Sequence, residues 1–280
     1  MNNNNQKNNL FPGYEMLDVL GTGARSTIYS ARDLQTGELV AIKRVVREKP
    51  EDGRFIEQAL NEFKISRQVT HPVLRRCLKI KRDRWLFLTT ELRIVMDYFD
   101  GTELAKRVPK TYLEQVNVFR KVAAGLRAMH EAHLVHADIK PNNILLGEKG
   151  KVQIIDFGQA CPIGFIKKRI QGTPDFIAPE QVRRERLDQR TDVFNLGATI
   201  YWVLTGRAIP TDIPNKKNRI QLQQERLIRP PIQINPETPP ALSKLVEDCC
   251  RRRPQKRPHN MNEVRGRLDI IAQSLSMAEN

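Results

Sequence analysis

The alternation of apolar and polar positions predicts several strands and one helix in the first hundred residues. A short apolar run at 39–42 has strand character, and a helical spacing of apolar residues covers roughly 51–68. Two further apolar runs, at 85–88 and 92–96, are interpreted as strands. The first part of the chain is therefore predicted to be mainly β-structure with one helix.

Beyond residue 101, apolar residues recur at spacings of three and four, which is the pattern of helices that bury one stripe. Such segments lie at 119–129, 193–203, 242–249 and 264–271. Short predicted strands near 144–145 and 152–155 lie between the first two helices. A strand-rich small lobe followed by a helical large lobe predicts an α+β fold, with a ligand-binding cleft where the lobes join, near 97–102.

Composition changes this picture at the ends of the chain. Six asparagines among the first ten residues predict a disordered polar tail over 1–13. A folded domain is then expected over 14–275, followed by a short tail at 276–280. The longest near-apolar run, 196–204, is much shorter than the ~20 residues needed to cross a bilayer, and no secretory signal is recognisable. We therefore expect a cytoplasmic protein without a membrane span.

The net charge of +15, from 47 basic and 32 acidic residues, permits polyanionic partners but does not require them. The basic residues are spread out, and clusters such as 167–169 are interpreted as solvated surface. Because aromatic residues do not alternate with them and no nucleic-acid-binding module is recognisable, nucleic-acid binding is not expected. The four cysteines have no metal-ligand spacing and are expected to be reduced packing residues.

A glycine-rich turn and a lysine in an apolar strand are the first candidate functional features along the chain. The turn at 20–28 lies between two predicted strands, where its backbone N–H groups could approach a phosphate. No helix follows it, which argues against a dinucleotide-binding motif. Lys43 ends an apolar strand, and because a buried unpaired ammonium is costly, it needs an anionic partner. Glu62, on the predicted helix, could supply the carboxylate.

Acidic and amide side chains follow in two later loops. The first loop contains Asp138 and Asn143, and Asp156 comes 18 residues after Asp138, directly behind an apolar strand. Carboxylate and amide oxygens suit Mg²⁺, which is often held by few protein ligands together with phosphate groups. Because D-F-G follows the pattern H-x-D-x-K-x-x-N at this spacing, we interpret the two loops as parts of one magnesium-binding site.

Taken in order, these motifs and the A-P-E tripeptide at 178–180 are the signature set of protein kinases. Over about 14–275 the chain resembles the eukaryotic-type (Hanks-type) serine/threonine protein kinases, and its motif phrases are most similar to bacterial members. The resemblance implies a bilobal α+β fold. A small antiparallel β-rich N-lobe with one key helix (14–97) would precede a hinge (97–102) and a larger, mainly helical C-lobe (103–275).

The resemblance also implies Mg²⁺ and ATP as cofactors and a protein serine or threonine as substrate. Asp138 would act as the catalytic base, Lys140 would neutralise the γ-phosphate, and Lys43, held by Glu62, would contact the α- and β-phosphates. Asn143 and Asp156 would bind the metal. The residues implied to bind the nucleotide are Leu20, Gly21, Gly23, Ile28, Ala41, Lys43, Met96, Asp97, Phe99, Glu103 and Leu145.

Two departures from the family pattern concern regulation. Ala137 stands where most regulated kinases carry the arginine that pairs with an activation-loop phosphate, and Thr173 is the only hydroxyl residue between Gly158 and Ala178. We therefore expect an enzyme that does not need activation-loop phosphorylation. Ser66 replaces the apolar residue that usually lies one helical turn after Glu62, which predicts looser packing there.

Two other functions are weighed against an active protein kinase. A nucleotide-binding pseudokinase scaffold would be favoured by degraded motifs, yet the five residues expected to carry the chemistry are all present: Lys43, Glu62, Asp138, Asn143 and Asp156. A small-molecule kinase of the aminoglycoside type is disfavoured by the A-P-E tripeptide together with Arg257, which resemble the brace of a protein-substrate platform.

Overall fold

The computed structural model describes residues 11–210 and 228–278, and the chain divides into two compact units. The first unit runs through Thr70 and resumes over Leu74–Asp100, and the second comprises His71–Val73 and the chain from Gly101 onward. The sequence placed residues 71–73 in the first lobe. The structure groups them with the second unit, where the Val73 carbonyl accepts a hydrogen bond from the Ile154 N–H at 2.6 Å.

The first unit is a five-stranded antiparallel sheet with one helix packed on it. Its elements are β1 (Tyr14–Thr22), β2 (Ser26–Asp33), β3 (Leu39–Val46), α1 (Gly53–Ser66), β4 (Cys77–Trp85) and β5 (Leu88–Asp97). The strands lie in the order β1-β2-β3-β5-β4, so β3 and β5 are central and β4 is an edge. Ile56 and Ala59 of α1 pack against Val45, Leu92 and Ile94 of the central strands.

The apolar run at 85–88, which we interpreted as a strand, forms instead the tip of the β4–β5 hairpin. Trp85 ends β4 and pairs with Leu88, which begins β5. Leu86 and Phe87 form the turn, and Leu86 has a left-handed φ of 54°. The prediction is wrong because an apolar run does not by itself show burial, and no element within 11–210 and 228–278 covers this one.

The second unit is mainly helical, in agreement with the predicted fold class. Its helices are α2 (Tyr112–Glu131), α3 (Pro179–Arg183), α4 (Gln189–Thr205), α5 (Pro231–Ile234), α6 (Pro240–Cys249) and α7 (Met261–Ala278). Short strands are β6 (Thr102–Glu103), β7 (Leu134–Val135), β8 (Ile144–Leu146), β9 (Val152–Ile154) and β10 (Cys161–Pro162). They form a β6-β8-β9 sheet and a β7-β10 pair.

The boundaries of the two main helices follow from their caps. The Thr111 hydroxyl accepts a hydrogen bond from the Glu114 N–H at 3.2 Å, and the Glu114 carboxylate accepts one from the Thr111 N–H, which is a capping box at the start of α2. Asp188 caps α4, and the helix ends at Gly206 in a left-handed conformation. Helix α4 is buried on nearly all sides and therefore forms the centre of this unit.

The predicted tails lie partly outside the described residues. Residues 1–10 are not described, and Phe11 is buried, with its ring edge-on to Tyr14 at 5.0 Å. At the other end α7 continues through Ala278. The four cysteines are buried and unbridged. Within 11–210 and 228–278, no helix combines the length and the apolar character that crossing a bilayer would require.

Candidate active site

In the first unit, Lys43 and Glu62 form a buried ion pair. The register of the sheet places Lys43 in the centre of β3, opposite Ile28 and Ile94. Ile56, Ala59 and Glu62 recur every three residues, so Glu62 lies on the same face of α1 as the two apolar residues that pack on the sheet. The Lys43 Nζ donates to the Glu62 carboxylate at 2.6 Å. The cation therefore has the anionic partner that its position in the strand requires.

The glycine-rich turn forms the β1–β2 hairpin. Gly21 lies opposite Ile28, and the Gly23 N–H donates to the Ser26 carbonyl at 2.7 Å. A Cβ on Gly23 would lie 2.9 Å from the Ser26 hydroxyl, whereas a Cβ on Gly21 would meet nothing within 4 Å. Leu20 is exposed and Ile28 is half-buried. A side chain at position 23 would therefore only require the Ser26 hydroxyl to rotate away, and the open space beside Gly21 leaves its backbone accessible to a ligand.

Of the other residues expected to bind nucleotide in this unit, two belong to its core. Ala41 and Met96 are opposite each other in the β3–β5 register, and both are almost fully buried. Asp97 forms an ion pair with Arg76 at 3.3 Å, and its N–H donates to the Arg76 carbonyl. Phe99 is half-buried. Met96, Asp97 and Phe99 thus lie at the end of β5 and in the segment after it, and Ala41 lies in the neighbouring strand β3.

In the second unit, Asp138 is the centre of a dense hydrogen-bond network. Its Oδ1 accepts from the Thr173 N–H at 3.0 Å and from the Thr173 hydroxyl at 3.1 Å. Its Oδ2 accepts from the Lys140 ammonium at 3.0 Å and from the Asn143 amide at 3.3 Å. Lys140 also donates to the Thr173 hydroxyl at 2.7 Å. The network fixes the carboxylate, the cation and the hydroxyl in one small space.

Asp192 of α4 holds the backbone just before Asp138. Its buried carboxylate accepts from the N–H groups of His136 and Ala137 at 2.9 and 2.8 Å, and from the His130 ring at 2.8 Å. Burial opposes ionisation, but the hydrogen bond from His130 and the other neighbours outweigh it and lower the pKa of Asp192. Ala137 has a φ of 61°, a strained conformation for a residue with a side chain. The two backbone bonds to Asp192 stabilise it.

Asp156 is positioned by the end of β9. It adopts a left-handed conformation with φ 66°, and its Oδ1 accepts from the Gly158 N–H at 3.2 Å. The preceding Ile155 N–H donates to the Asn143 carbonyl at 3.0 Å, which ties the two loops together. Phe157 is buried, and its ring lies edge-on to His136 at 5.5 Å. The backbone thereby brings the loops bearing Asn143 and Asp156 to one place.

These residues fit a magnesium–nucleotide better than a metal held by protein alone. The described part of the chain contains no cluster of three or more histidine, cysteine or acidic side chains that could hold a metal. The Asn143 amide nitrogen donates to the Asp138 carbonyl at 2.8 Å, so its amide oxygen is the atom that would bind a cation. With the Asp156 carboxylate this gives two hard oxygen ligands, and Mg²⁺ commonly completes such a set with phosphate and water.

Glu103 and Leu145 are neighbours in the β6–β8 pairing. The Glu103 carboxylate accepts from the Asn142 amide at 3.0 Å and from Lys106 at 2.8 Å. Partial burial raises the pKa of Glu103, but these two hydrogen bonds lower it by more, so the group is held in its charged form. Leu145 is buried beside it. This pair would present one charged and one apolar side chain to a ligand.

A buried ion pair braces the segment after the site. Arg257 donates to both Glu180 carboxylate oxygens, at 2.7 and 2.9 Å. Its remaining N–H groups donate to the carbonyls of Arg190, Arg251 and Arg252, so every guanidinium donor direction is used. The Arg257 and Glu180 side chains are essentially inaccessible to water. The A-P-E tripeptide is therefore anchored to a distant part of the chain.

Gln181 is a positioning residue that the sequence did not reveal. Its amide nitrogen donates to the Ala137 carbonyl at 2.8 Å, and its amide oxygen accepts from the Ala178 N–H at 2.9 Å and from Asn195 at 3.1 Å. These bonds connect the loop of Asp138 with α3 and α4. The signal in the sequence that could have indicated this glutamine is its position directly after Glu180 of the A-P-E tripeptide.

Lys167 corrects our interpretation of the 167–169 cluster as solvated surface. Lys168 and Arg169 are exposed, but Lys167 is only 5% exposed. Its ammonium donates to the Gln159 carbonyl at 2.6 Å and to the Gln159 side-chain oxygen at 3.3 Å. Burial lowers the pKa of Lys167, and a neutral amine would still donate these bonds. Lys167 therefore fastens the segment between Asp156 and Thr173.

Ser66, which was expected to loosen packing, has a defined polar partner in the first unit. Its buried hydroxyl accepts a hydrogen bond from the Cys77 N–H at 2.8 Å. Burial raises the pKa of the Cys77 thiol to about 12, so the thiol stays neutral at physiological pH. The serine thus satisfies a backbone donor at the start of β4.

Comparison with known proteins agrees with this geometry. Residues 14–266 match the family described as the protein kinase domain. This chain belongs to the protein kinase family. The serine/threonine-protein kinase PknD of Chlamydia trachomatis serovar D is 28% identical to it over 93% of this chain and 32% of its own length. The serine/threonine-protein kinase PksC of Streptomyces coelicolor is 27% identical, over 95% of this chain and 50% of its own length.

The chain is also similar to a protein kinase from a plant. The CBL-interacting protein kinase 12 of Oryza sativa subsp. japonica is 31% identical over 69% of this chain and 36% of its own length. The kinase domain thus spans between about a third and a half of these relatives. The family resemblance drawn from the motifs is confirmed.

Proposed function

We propose that this kinase domain transfers the γ-phosphate of Mg-ATP to a serine or threonine hydroxyl of a protein. The observation that carries the proposal is the network that joins Asp138, Lys140 and Thr173. It places a fixed carboxylate beside a fixed cation, which is what proton removal from a hydroxyl and charge stabilisation of a transferring phosphoryl group require. The names of the bacterial relatives support the same residue specificity.

Each unit, taken by itself, carries residues that we propose bind the nucleotide. Lys43, oriented by Glu62, would donate to the α- and β-phosphates, and the backbone near Gly21 would cover them. Asn143 and Asp156 would hold Mg²⁺, which supplies charge neutralisation on the phosphates when it is bound. The apolar residues proposed to contact adenine are Leu20, Ile28, Ala41, Met96, Phe99 and Leu145. Asp97 and Glu103 would contribute polar contacts.

Asp138 would accept the proton of the attacking hydroxyl. Its carboxylate already accepts four hydrogen bonds, so a substrate hydroxyl must displace one donor. The longest bond comes from Asn143 at 3.3 Å, and that amide nitrogen also donates to the Asp138 carbonyl at 2.8 Å. Losing the longer bond leaves the amide satisfied. We therefore propose that the substrate approaches the Oδ2 side, next to Lys140.

Replacing Lys43 by methionine tests the nucleotide part of this proposal. We expect kcat/KM for ATP to fall about 10- to 150-fold, because a charge-assisted hydrogen bond contributes roughly 1.5–3 kcal/mol. Steady-state transfer to a peptide at varied ATP measures this, and Lys49→Met, on an exposed side chain, is the matched control.

Because Glu62 is buried, Lys43→Met also requires a folding control. Lys43→Arg keeps a cation beside Glu62 but changes the geometry of the donors offered to phosphate. Thermal melts should show Lys43→Arg folded like the parent while its activity is reduced. An unfolded Lys43→Met protein together with a fully active Lys43→Arg protein would mean that Lys43 is only structural.

We also propose that this kinase works without activation-loop phosphorylation. Ala137 carries no charge to pair with a phosphate, and the Thr173 hydroxyl is already bonded to Asp138 and Lys140. Lys167 supplies an internal tether for the segment instead, through its bonds to Gln159. The segment would then be ordered by these hydrogen bonds rather than by a phosphate.

Phosphatase treatment is therefore expected to leave kcat unchanged. A phosphate on Thr173 would place about −1.5 to −2 charges beside the Asp138 carboxylate, so phosphorylation there should lower activity rather than raise it. Turnover of phosphatase-treated and untreated enzyme, with the state of Thr173 established by mass spectrometry, makes the comparison. A large rise in kcat on Thr173 phosphorylation would overturn the proposal.

Lys167→Met is expected to lower kcat by roughly 5- to 150-fold, because leaving the half-buried Gln159 carbonyl without its donor costs about 1–3 kcal/mol of local order. The exposed neighbour Lys168→Met is the matched control and should behave like the parent. Protease cleavage within 159–173 should become faster in Lys167→Met alone. Equal kcat and equal cleavage in the two variants would show that Lys167 does not order the segment.

A further inference from the structure

The tip of the β4–β5 hairpin exposes four consecutive large apolar side chains. Trp85, Leu86, Phe87 and Leu88 are 69%, 74%, 98% and 51% exposed. Elsewhere in the described residues, exposed large apolar residues occur singly or at most two in a row. Scattered apolar residues are normal on a protein surface, but a contiguous exposed group marks an interaction site.

Neither the formation of the turn nor packing within the fold explains why the tip carries large apolar residues. Leu86 and Phe87 form a two-residue turn, for which Asn-Gly or Asp-Gly is the favoured sequence. Leu86 instead has a left-handed φ of 54°, which disfavours a bulky side chain. Phe87 is almost wholly solvated, so its ring gains nothing from the fold. Turn chemistry and core packing would both select other residues.

The charges around the tip are mainly positive. Lys81, Arg82 and Arg84 of the edge strand β4 are exposed. The three acidic residues of the same hairpin are engaged by arginines: Asp83 pairs with Arg93, Glu91 with Arg44 and Arg93, and Asp97 with Arg76.

The basic surface extends onto the neighbouring helix. Arg82 lines a shallow cavity together with Lys64 of α1 and with Arg67, which directly follows that helix. These three cations outnumber the one carboxylate of the lining, Glu57. An apolar tip therefore stands on a face that can attract anions.

We propose that this hairpin docks on the surface of an anionic lipid bilayer. Trp85, Leu86, Phe87 and Leu88 would enter the boundary between headgroups and acyl chains, where tryptophan is favoured, and Lys81, Arg82 and Arg84 would face the lipid phosphates. The rings of Trp85 and Phe87 could also stack on nucleic-acid bases. Leu86 and Leu88, in contrast, gain burial only in an apolar phase, which favours the bilayer. The inference concerns a surface outside the catalytic residues and does not depend on activity.

Vesicle co-sedimentation of the full chain tests this inference. The parent should bind vesicles of phosphatidylcholine with phosphatidylserine and bind phosphatidylcholine alone more weakly. Leu86→Ser with Phe87→Ser should reduce binding to both kinds by about tenfold or more, because the inserted apolar area is lost. Arg82→Gln with Arg84→Gln should reduce binding to the anionic vesicles only. Ile270→Ser, an equally exposed apolar position on α7, is the control.

The emission of Trp85 provides a readout at the tip itself. It should shift to shorter wavelength on anionic vesicles, and the shift should be absent from Trp85→Phe, which retains only Trp202. Because the changed side chains are exposed, all variants should melt like the parent. Absence of vesicle binding by the parent, or equal binding by the parent and Leu86→Ser/Phe87→Ser, would overturn the inference. Tip-dependent self-association without vesicle binding would also overturn it, in favour of a protein partner.

Discussion

Replacing Asp138 by asparagine is expected to lower phosphoryl transfer by roughly 10²–10⁴-fold, the usual contribution of a positioned general base. The asparagine oxygen can still accept hydrogen bonds from Lys140 or Thr173, but an amide cannot take up the proton of the attacking hydroxyl. The loss should appear in kcat, whereas the affinity for Mg-ATP should change little, because the phosphate and metal ligands are other residues.

The measurement is a pair of assays on one preparation, with peptide phosphorylation for transfer and calorimetry for nucleotide binding. Glu131→Gln is the control, since this exposed carboxylate at the end of α2 pairs with Arg127 on the surface. Turnover of Asp138→Asn within a few-fold of the parent would remove Asp138 from the mechanism. A loss of nucleotide binding equal to the loss of transfer would instead indicate that the substitution disrupted the loop around Asn143.

The second large effect concerns the brace between Glu180 and Arg257. Arg257→Met is expected to lower the free energy of unfolding of the second unit by about 3–5 kcal/mol, because it leaves the Glu180 carboxylate buried without its cation. The three backbone carbonyls that Arg257 satisfies also lose their donor. The surface pair of Arg183 with Glu185, 3.5 Å apart, provides the control. Arg183→Met should cost at most about 1 kcal/mol.

Urea unfolding followed by the emission of Trp202, which lies in α4 of the second unit, measures the loss. Adding Glu180→Leu to Arg257→Met should restore part of the stability, since the remaining buried charge is then removed. If Arg257→Met unfolds like Arg183→Met, the ion pair is not a brace. If the double variant is less stable than Arg257→Met alone, the isolated Glu180 charge is not the source of the cost.

The residues at the candidate site were predictable where their chemistry depends on fixed spacing along the chain. Lys43 after an apolar run required an anion, and Glu62 lay on the helix predicted to follow that strand. The strand was expected to end at Lys43 but continues through Val46, so the lysine lies in its centre. Asp138, Asn143 and Asp156 were recognisable because they stand at the spacing of the H-x-D-x-K-x-x-N and D-F-G motifs. The regulation proposed from Ala137 and Thr173 also rested on identities that the sequence displays directly.

What the sequence did not reveal depends on contacts between distant residues. The run at 85–88 is apolar, yet whether it is covered depends on which elements reach the tip of the hairpin, and among the described residues none covers it. In the sequence, Lys167 is one member of a basic cluster. Its burial arises because the segment folds back so that its side chain reaches Gln159. Gln181 connects Ala137 with Asn195 through bonds that span 44 and 14 residues, a connection that local patterns do not encode.

The central claim is that this kinase domain transfers phosphate to serine or threonine, and one measurement tests it most directly. The parent and Asp138→Asn are incubated with Mg²⁺, γ-labelled ATP and a peptide library, and the phosphorylated residues on the chain and the peptides are mapped by mass spectrometry. We predict label on serine and threonine with the parent and almost none with Asp138→Asn, while both proteins bind Mg-ATP. Nucleotide binding by the parent without any transfer would contradict the claim and identify a pseudokinase scaffold, and label confined to tyrosine would contradict the proposed substrate.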